Sequence, residues 1–508
     1  MGHTAEKLKR TALYVLIFGL IAHAFVYFNL VYSHDSVIVY VNDAAWQVSI
    51  GRYLQPVYEL VRGKLAVPWL IGLIALCYIA LSAFLICDLL DIRKNLAVAS
   101  VCGVLATNAA FSVSQATYLY LADVFMLAML LCMLGVYLLQ KYRFGFLPAA
   151  LLFSVSLALY QGYLAAAVGL LLLLGIKLLL EQKPAKEIAS FACRAVAALL
   201  LSGLVYWLGM KLALSVTGVS AASSYNSFAA AGEASVSLLS RVLAAYKTFF
   251  KFFLKRTAYN TVPLIFAGGA LFVCACAALL RMLRQKRLPA ASVLLIFVAF
   301  LLLPFGLTVT VFFSKGLSHE VMLYPLCLVY VAAIWLIERA LREDAPAPER
   351  KARGMALLRG VAVAAAGLLL FCNMVFSNQA YLKKKLEYDA QLATVSRLVD
   401  RMENTEGYVP GETPVAIAGR LIDSYGYNFP GFEDYYDVAG LMYSMPLTFY
   451  GAYDAYFEDV MGRPLNLLPE ADCDAFAARP EVVDMPCFPS LACCQMIDGV
   501  LVVKLSDG

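Results

Sequence analysis

Charged residues are scarce in this sequence. They make up 15% of its 508 residues, whereas an ordinary soluble domain has roughly 25%. Hydrophobic residues make up 62%, and the mean hydropathy is +0.76, which excludes a soluble globular protein. The net charge is only +5 and the basic residues stand in short clusters, so the sequence also lacks the basic surface that is typical of nucleic-acid-binding proteins.

Histidine is rare as well, and this limits metal chemistry. The four histidines all precede residue 320, which excludes a histidine-containing metal site in the segment 379–508. That segment contains four of the 13 cysteines: Cys473, Cys487, Cys493 and Cys494. An oxidising exterior would permit disulfides there, and we expect at least two of the four to be bonded. Three full pairings are possible, and free thiols or a weak metal-ligand cluster at Cys493 and Cys494 stay open as alternatives.

Long apolar runs dominate what is present. A helix needs about 20 apolar residues to cross a bilayer. The apolar segments are 11–33, 66–87, 96–113, 118–140, 146–160, 163–180, 190–214, 261–280, 289–312, 320–337 and 355–377. The first is long enough to span, and no small-residue cleavage site follows it, so we expect it to be retained. The sequence therefore predicts a polytopic α-helical membrane protein with about eleven spans.

The stretch 146–180 is predicted to form two spans. As one helix it would be about 52 Å long, well beyond a hydrocarbon core of about 30 Å. The polar and flexible residues 160–163 mark the break. With this division the short loops that carry Lys and Arg all fall on one side, as the positive-inside rule requires. We therefore expect a cytoplasmic N-terminus and a C-terminal segment on the opposite side of the membrane.

Two regions are predicted. Residues 1–378 form a transmembrane domain with amphipathic outer-loop helices near 44–63 and 241–256. Residues 379–508 form a small extracytoplasmic α/β domain, with a helix over 381–402 and strands over 414–419 and 500–505. Between these strands, the segment 425–457 is rich in Tyr, Phe, Asp and Gly, a composition that suits carbohydrate faces and is also common in irregular small domains.

The first outer loop contains two candidate acids, Asp35 and Asp43, with His34 beside the first. A helical period begins at Trp46 and predicts an amphipathic helix lying in the membrane surface. Such a helix would hold both acids near the lipid headgroups. A half-buried carboxylate at Asp35 could accept a proton from a sugar hydroxyl. The alternative for either acid is a solvated residue at the end of a span.

A third acid, Asp123, is predicted to lie inside a span, where charge is costly and tends to mark a cavity or a paired site. Polar and aromatic residues are expected at the same depth, and we interpret them as candidate substrate-binding groups: Gln115, Tyr118, Tyr120, Tyr160, Gln161 and Tyr163. Tyrosines at this level also form the ordinary interfacial belt, which remains the alternative.

A second amphipathic segment lies in the loop 215–260. Lys247, Lys251 and Lys255 recur every four residues and form one basic stripe beside aromatic residues. The stripe could hold the phosphate of a lipid-linked substrate, with Arg52 or Arg241 as helpers. An interfacial helix attracted to anionic lipid is the alternative. His319 and Glu320 are polar residues at the outer start of the tenth apolar segment. Substrate binding and helix capping are their two possible roles.

Several short stretches resemble one family. They are His34-Asp35-Ser36, Trp46 with Gly51-Arg52, Ser114-Gln115-Ala116 before Asp123, 159–163 and 497–505. In this pattern the chain resembles the bacterial and phage glucosyltransferases that modify O-antigen, within the multi-span class of glycosyltransferases called GT-C.

The resemblance implies a multi-pass hexosyltransferase of the bacterial inner membrane. It would move a hexose, with glucose expected, from a polyprenyl-phosphate donor to a cell-surface polysaccharide or glycolipid on the outer face. Asp35 matches the catalytic acid of this class by position, and Asp123 is the weaker match to a second acid. The metal-associated DxD pair of some members is missing here, so no cofactor is assigned and a divalent metal stays open. Single displacement with an inverted anomeric configuration follows, with Asp35 as the base.

Two other functions are compatible with a membrane protein that handles lipid-linked sugars. A transporter or flippase of lipid-linked saccharide typically has internal repeats and charges near the membrane midplane, and neither pattern is evident. A polysaccharide polymerase or ligase would use the same lipid carrier and a large basic outer loop, for which 215–260 is a modest candidate.

Overall fold

The computed structural model describes residues 2–29, 31, 44–63, 67–222, 237–343, 349–421, 429–438, 441 and 450–507. The predictions made for His34, Asp35 and Asp43 lie outside the described residues.

Helices account for most of the described chain, because every backbone polar group in a bilayer must be satisfied within the protein. The first eight helices are α1 Gly2–Phe28, α2 Ala44–Ser49, α3 Gln55–Arg62, α4 Pro68–Leu90, α5 Asn95–Thr107, α6 Ala109–Thr117, α7 Ala122–Lys141 and α8 Phe146–Leu159. The next eight are α9 Leu164–Leu180, α10 Ala185–Thr217, α11 Leu238–Leu254, α12 Val262–Lys286, α13 Ala290–Leu307, α14 Val309–Phe313, α15 Cys327–Arg342 and α16 Glu349–Glu403.

Within the described ranges, ten helical stretches are long and apolar enough to cross a membrane. They correspond to ten of the eleven predicted spans, and their outer surfaces expose large apolar side chains such as Leu200, Leu212 and Phe266. Contiguous apolar surface of this kind is unusual on soluble proteins and is typical of lipid contact. The one predicted span without a counterpart among these ten is 146–160. It corresponds to α8, which has 14 residues and is about 21 Å long. The span count of about eleven therefore stays a prediction.

The predicted division of the stretch 146–180 into two helices is confirmed. Helix α8 ends at Leu159, Tyr160 is extended, and a 3-10 turn covers Gln161–Tyr163 before α9 begins at Leu164. The helix breaks where the tyrosines and the glutamine interrupt the apolar run. This break places three candidate side chains at one end of the bundle, together with α2, α3 and α11. We call this end of the bundle the site end. The opposite end, where Lys7 contacts Asp88, is called the loop end.

The surface helix predicted from Trp46 onward is not continuous. It consists of the two short helices α2 and α3, because Gly51 between them has a φ of +83°. A side chain at this position would be strained, and its Cβ would lie 2.3 Å from the Tyr206 hydroxyl. The second predicted surface helix is continuous and forms α11.

Helix α16 runs without interruption from the membrane region into the C-terminal region. It has 55 residues and is about 82 Å long, more than twice the thickness of a hydrocarbon core. The predicted domain boundary at residues 378 and 379 lies inside this helix, and so does the predicted helix over 381–402. The C-terminal region is therefore held to the bundle by continuous helix.

The C-terminal region is built on a four-stranded sheet. Its strands are β1 Pro414–Ala418, β2 Asn466–Leu467, β3 Cys494–Ile497 and β4 Val500–Lys504, in the order β2-β1-β4-β3. Strands β1 and β4 were predicted, and they pair in parallel at the centre, while β3 is antiparallel to β4. The end of α16 and helix α17 (Tyr450–Asp459) cover one face of the sheet; α18 (Glu470–Ala477) and α19 (Pro480–Val483) cover the other. This confirms a small α/β region.

The disulfide expected among the four C-terminal cysteines is not found, and all four are free thiols. Cys473 packs on one face of the sheet, whereas Cys493 and Cys494 pack on the other. The sulfurs of Cys493 and Cys494 are 3.7 Å apart, well beyond the roughly 2.05 Å of a bond. Cys487 donates to the Asp507 carboxylate instead. The prediction was wrong because the sheet separates Cys473 from Cys493 and Cys494, while the sulfurs of the two adjacent cysteines are too far apart for a bond.

Candidate functional site

Helix α3 is fixed to the bundle through Asp123. Tyr58 and Arg62 are four residues apart, so they lie on the same side of α3. The Tyr58 hydroxyl donates to Asp123 Oδ2 at 3.0 Å, and an Arg62 guanidinium nitrogen lies 3.7 Å from Oδ1. The Val124 N–H also donates to Oδ1, and the Asp123 side chain is fully buried. Both carboxylate oxygens therefore have partners within the protein.

The Tyr58 hydroxyl must be protonated to donate to Asp123, and its surroundings favour the protonated form. Burial, and then the nearby Asp123 carboxylate, raise the pKa of the Tyr58 hydroxyl above its usual value. The hydroxyl thus stays a neutral donor. Arg62 also donates a hydrogen bond to the Tyr120 carbonyl at 2.9 Å. Together these contacts hold α3 against the start of α7 and the 3-10 turn Leu119–Leu121 before it.

A second polar cluster surrounds Gln161, at the break between α8 and α9. The Gln161 amide donates to the Ile50 carbonyl at 2.9 Å and to the Tyr206 hydroxyl at 3.1 Å. Tyr206 in turn donates to the Gly51 carbonyl. The Arg52 guanidinium lies over the Tyr160 ring, 4.9 Å from its centroid, and Arg52 Nε is 3.4 Å from Gln161 Oε1. Sequence-distant candidates thus meet around the turn at Gly51.

Aromatic rings connect this cluster with His319. Tyr160 packs on Phe125 with ring centroids 4.2 Å apart, and Phe125 contacts Tyr118 at 6.2 Å. Tyr118 contacts the His319 ring at 5.9 Å. Tyr163 belongs to the same group through Tyr160, at 5.1 Å. The predicted aromatic and histidine candidates therefore form one connected layer at the site end.

Beside His319 lies a cavity of about 420 Å³ with both signs of charge, which we call the charged cavity. Its lining residues are Thr248, Lys251, Phe252, Lys255, Arg256, Thr257, Tyr259, Ser318, Glu320, Leu323, Asp434 and Asp437. Three cations line it along α11 and its C-terminal end, and three carboxylates line the other walls. Burial, followed by the proximity of Glu320, raises the pKa of Tyr259 above its usual value. The cavity thus has cations that suit a phosphate group. It also has carboxylates and side-chain hydroxyls that suit the hydroxyl groups of a sugar.

The C-terminal region supplies part of this cavity. Tyr435 stacks on Phe376 of α16 with centroids 5.7 Å apart, and its hydroxyl donates to Gln379 Oε1 at 2.7 Å. These contacts fix the 3-10 turn Glu433–Tyr435 against the bundle. The exposed side chains of Asp434 and Asp437 reach the cavity from this turn and the residues that follow it.

Three amide side chains at the site end are buried without a hydrogen-bond partner in the described part of the chain: Gln47, Gln55 and Gln115. An unpaired buried amide costs about 1–3 kcal/mol. Such groups occur where water or a ligand completes the structure. The first two lie on α2 and α3, the helices whose polar sides face the protein.

The structure brings many of the predicted residues together, in two groups. Arg52, Tyr160, Gln161 and Tyr163 form the cluster around the α8–α9 break, and Lys251, Lys255 and Glu320 line the charged cavity. Lys247 is exposed on α11 but does not line the cavity. Arg241, the other predicted helper, is buried on α11.

Sequence reasoning missed six contributors to this end: Tyr58, Arg62, Tyr206, Arg256, Asp434 and Asp437. The spacing of Tyr58 and Arg62 was a usable signal for one helix face. Tyr206 sits among the apolar residues of α10, and nothing in its sequence context marks it. Among the described residues, no group of three or more His, Cys, Asp or Glu side chains could hold a metal ion.

The ten membrane-length helices of the described ranges, with clustered polar and charged side chains at one end of the bundle, define a polytopic membrane protein with a candidate site at that end. A protein-family model described as Glucosyl transferase GtrII matches residues 24–337. No curated protein and no solved structure matches the chain significantly.

The family match covers more than half of the 508 residues, and the protein belongs to this glucosyltransferase family. The predicted resemblance is thereby confirmed, and the protein is a membrane transferase with a sugar donor and a glycan acceptor. The matched region includes α3, Asp123, α11 and Glu320. It ends before α16 and the C-terminal region, so Asp434 and Asp437 lie outside it.

Proposed function

We propose that the protein transfers glucose from a polyprenyl-phosphate carrier to a hydroxyl of a cell-surface polysaccharide, with O-antigen as the acceptor class, at the outer face of the membrane. Membership of the glucosyltransferase family supports the sugar and the reaction class. The charged cavity carries the rest of the proposal, because it joins cations on a surface helix to carboxylates and a tyrosine.

The donor is expected to bind with its phosphate against Lys251, Lys255 and Arg256. Helix α11 has exposed apolar side chains, including Leu243, Phe250 and Leu254, beside these cations. An amphipathic helix of this kind lies at the boundary of headgroups and acyl chains. The isoprenoid chain of the donor can therefore stay in the bilayer while its phosphate reaches the cavity. Carboxylates such as Glu320 are suited to bind hydroxyls of the sugar.

The proposed reaction is a single displacement. The acceptor hydroxyl oxygen attacks C1 of the glucose, and the C1–O bond to the phosphate breaks. The hydroxyl proton passes to the Asp35 carboxylate, and the electron pair of the broken bond stays on the carrier phosphate. The nearby cations stabilise this departing dianion. The anomeric configuration is inverted.

Asp123 receives a different role in this proposal. It was the weaker candidate for a second catalytic acid, and its two oxygens accept from Tyr58 and Val124 beside Arg62. These contacts support a positioning role, in which Asp123 fixes α3. Asp35 remains the proposed base.

The test is glucosyl transfer in membranes supplied with radiolabelled polyprenyl-phosphate glucose and acceptor polysaccharide. Asp35→Asn keeps the shape of the side chain and removes its basicity. Loss of a general base costs about 10²- to 10⁴-fold in rate, so we expect turnover to fall by this factor while the protein still retains the labelled donor. Asp472→Asn, at an exposed position of α18, is the matched control and should transfer at the normal rate.

An Asp35→Asn protein that transfers glucose normally would overturn the assignment of the base, and Asp123 would be the next acid to test. Transfer of a long glycan from the carrier, with no transfer of single glucose units, would instead support a polymerase or ligase. Movement of the labelled carrier across the membrane without transfer would support a flippase.

A further inference from the structure

A second cavity lies at the loop end, far from the proposed site. It has a volume of about 490 Å³ and lies between α5, α15 and α16, with Leu271 of α12 at its floor. Its remaining lining residues are Lys94, Asn95, Leu96, Ala97, Ser100, Ile334, Ile337, Glu338, Leu341, Arg342, Arg359, Ala362, Val363 and Ala366. We call it the loop-end groove.

The groove has charged residues at its mouth only. Lys94 precedes the first residue of α5, and Arg359 lies near the start of α16. Arg342 and Glu338 of α15 form an ion pair with Nε 3.2 Å from Oε2, and Arg342 also contacts Asp91. Glu338 Oε1 additionally accepts from the Arg93 and Lys94 N–H groups. The single carboxylate of the lining is thus engaged.

Two cations of the mouth remain available. The exposed side chains of Lys94 and Arg359 have no ion pair within the described ranges of the chain. With three cations and one carboxylate, the lining has a net charge of +2. The first N–H groups of α5 follow Lys94 without a side-chain cap, and a helix N-terminus also favours an anion.

The interior of the groove is apolar. From Arg359 to Ala366, α16 descends about 10 Å at 1.5 Å per residue, and the walls along this depth are Ala, Val, Leu and Ile. Leu96 and Val363 at the side are 48% and 39% exposed. The groove is therefore open to the surroundings of the bundle, where a membrane-spanning region contacts lipid. An anionic head with apolar chains has the complementary shape and charge.

We propose that the loop-end groove binds one anionic phospholipid, with its phosphate between Lys94 and Arg359 and its acyl chains along α5 and α16. Basic pockets between membrane helices are typical sites for such headgroups. Free phosphate does not fit the apolar walls, and a zwitterionic lipid lacks the net charge. The lipid would join α5 to α16, the helix that continues into the C-terminal region.

The experiment measures lipid bound to the purified full-length protein by native mass spectrometry, with phosphatidylglycerol titrated against phosphatidylcholine. One phosphatidylglycerol should be retained in preference to phosphatidylcholine. The double variant Lys94→Gln with Arg359→Gln should bind phosphatidylglycerol ~30-fold more weakly, since each cation near an anionic headgroup contributes about a factor of five.

Two further variants keep the test specific. Lys186→Gln with Arg284→Gln removes one Lys and one Arg from exposed positions outside the groove lining and should bind phosphatidylglycerol like the unsubstituted protein. Ser100→Phe places a ring in the groove without changing charge and should also reduce retention. Equal loss in both double variants, equal binding of the two lipids, or competition by inorganic phosphate alone would overturn the proposal. None of these readouts requires glucosyl transfer.

Discussion

The surface helices α3 and α11 both lie at the site end and were predicted in the same terms, yet the protein uses them in opposite ways. On α3 the apolar Val57 and Val61 are exposed, whereas Gln55 and Glu59 are buried. Its polar side faces the protein, where Tyr58 and Arg62 hold Asp123. On α11 the side chains of Lys251 and Lys255 are exposed and line a cavity.

The difference shows that an amphipathic period identifies two faces of a helix without saying what each face contacts. In water the apolar face must be buried, whereas beside a bilayer it can face lipid and leave the polar face to the protein. The polar groups of α3 are therefore expected to affect folding stability, and those of α11 to affect substrate binding. Five experiments test this contrast, and we describe them in order of decreasing expected effect.

The largest expected effect is the all-or-none labelling that fixes which face of the membrane the site end occupies. Lys247→Cys places a thiol at an exposed position of α11, and Lys186→Cys places one at the start of α10 at the loop end. With an impermeant thiol reagent on intact cells, we expect the first to react and the second to react only after permeabilisation. The unsubstituted protein gives the background from its own thiols. The reverse pattern would overturn the predicted orientation.

Arg62→Ala should cause the largest loss of stability. It leaves the Asp123 carboxylate buried without its cation, and breaking a buried ion pair typically costs about 3–5 kcal/mol. Thermal unfolding in detergent measures this, with Arg143→Ala as a control at an exposed position of the loop end. A normal unfolding temperature together with a large fall in transfer rate would instead indicate that Asp123 and Arg62 act in the reaction.

Tyr58→Phe should have a smaller effect of the same kind. It removes one hydrogen bond to a buried carboxylate, which is worth roughly 1.5 kcal/mol or somewhat more. Combining it with Arg62→Ala should give less than the sum of the two losses, because both side chains contact the same Asp123. Additive losses would argue against a shared anchor for α3.

Lys251→Ala should have a smaller effect still, and on a different quantity. We expect KM for the lipid-linked donor to rise about fivefold, as for the loss of one cation near a headgroup phosphate, with the unfolding temperature unchanged. Lys211→Ala, at an exposed position of α10 outside the charged cavity, is the matched control.

Lys247→Ala tests whether the position of a lysine on α11 matters for donor binding. The structure leaves Lys247 outside the cavity lining, so its loss should change KM less than twofold. An equal rise for Lys247→Ala and Lys251→Ala would favour the interpretation of a general basic stripe on α11.

Much of the fold could be predicted because membrane helices follow from local apolar length. The break at Tyr160 was visible in the sequence, as were the two central strands at Val415 and Val502. The interruption of the first surface helix at Gly51 was not, because the period from Trp46 continues through it. At that turn Gly51 packs against Tyr206, a residue distant in sequence, whose hydroxyl donates to the Gly51 carbonyl.

The candidate site was predicted in part, for a related reason. Arg52, Gln161 and Lys251 could be selected as unusual polar residues near apolar runs. Their partners could not, because Asp434 approaches Lys251 only after α16 has returned a distant segment to the site end. The missing disulfide has the same cause, since a sheet lies between Cys473 and Cys493.

The sequence by itself determined that this is a polytopic membrane protein, that the stretch 146–180 breaks near Tyr160, and to which family the protein belongs. These properties depend on local hydrophobicity and on short stretches of residues. Only the tertiary structure decided that α3 turns its polar side inward onto Asp123, and that α11, Glu320 and the 3-10 turn at Asp434 enclose one cavity. Those arrangements depend on which surfaces meet, and burial, charge pairing and chain connectivity decide this together over the whole molecule.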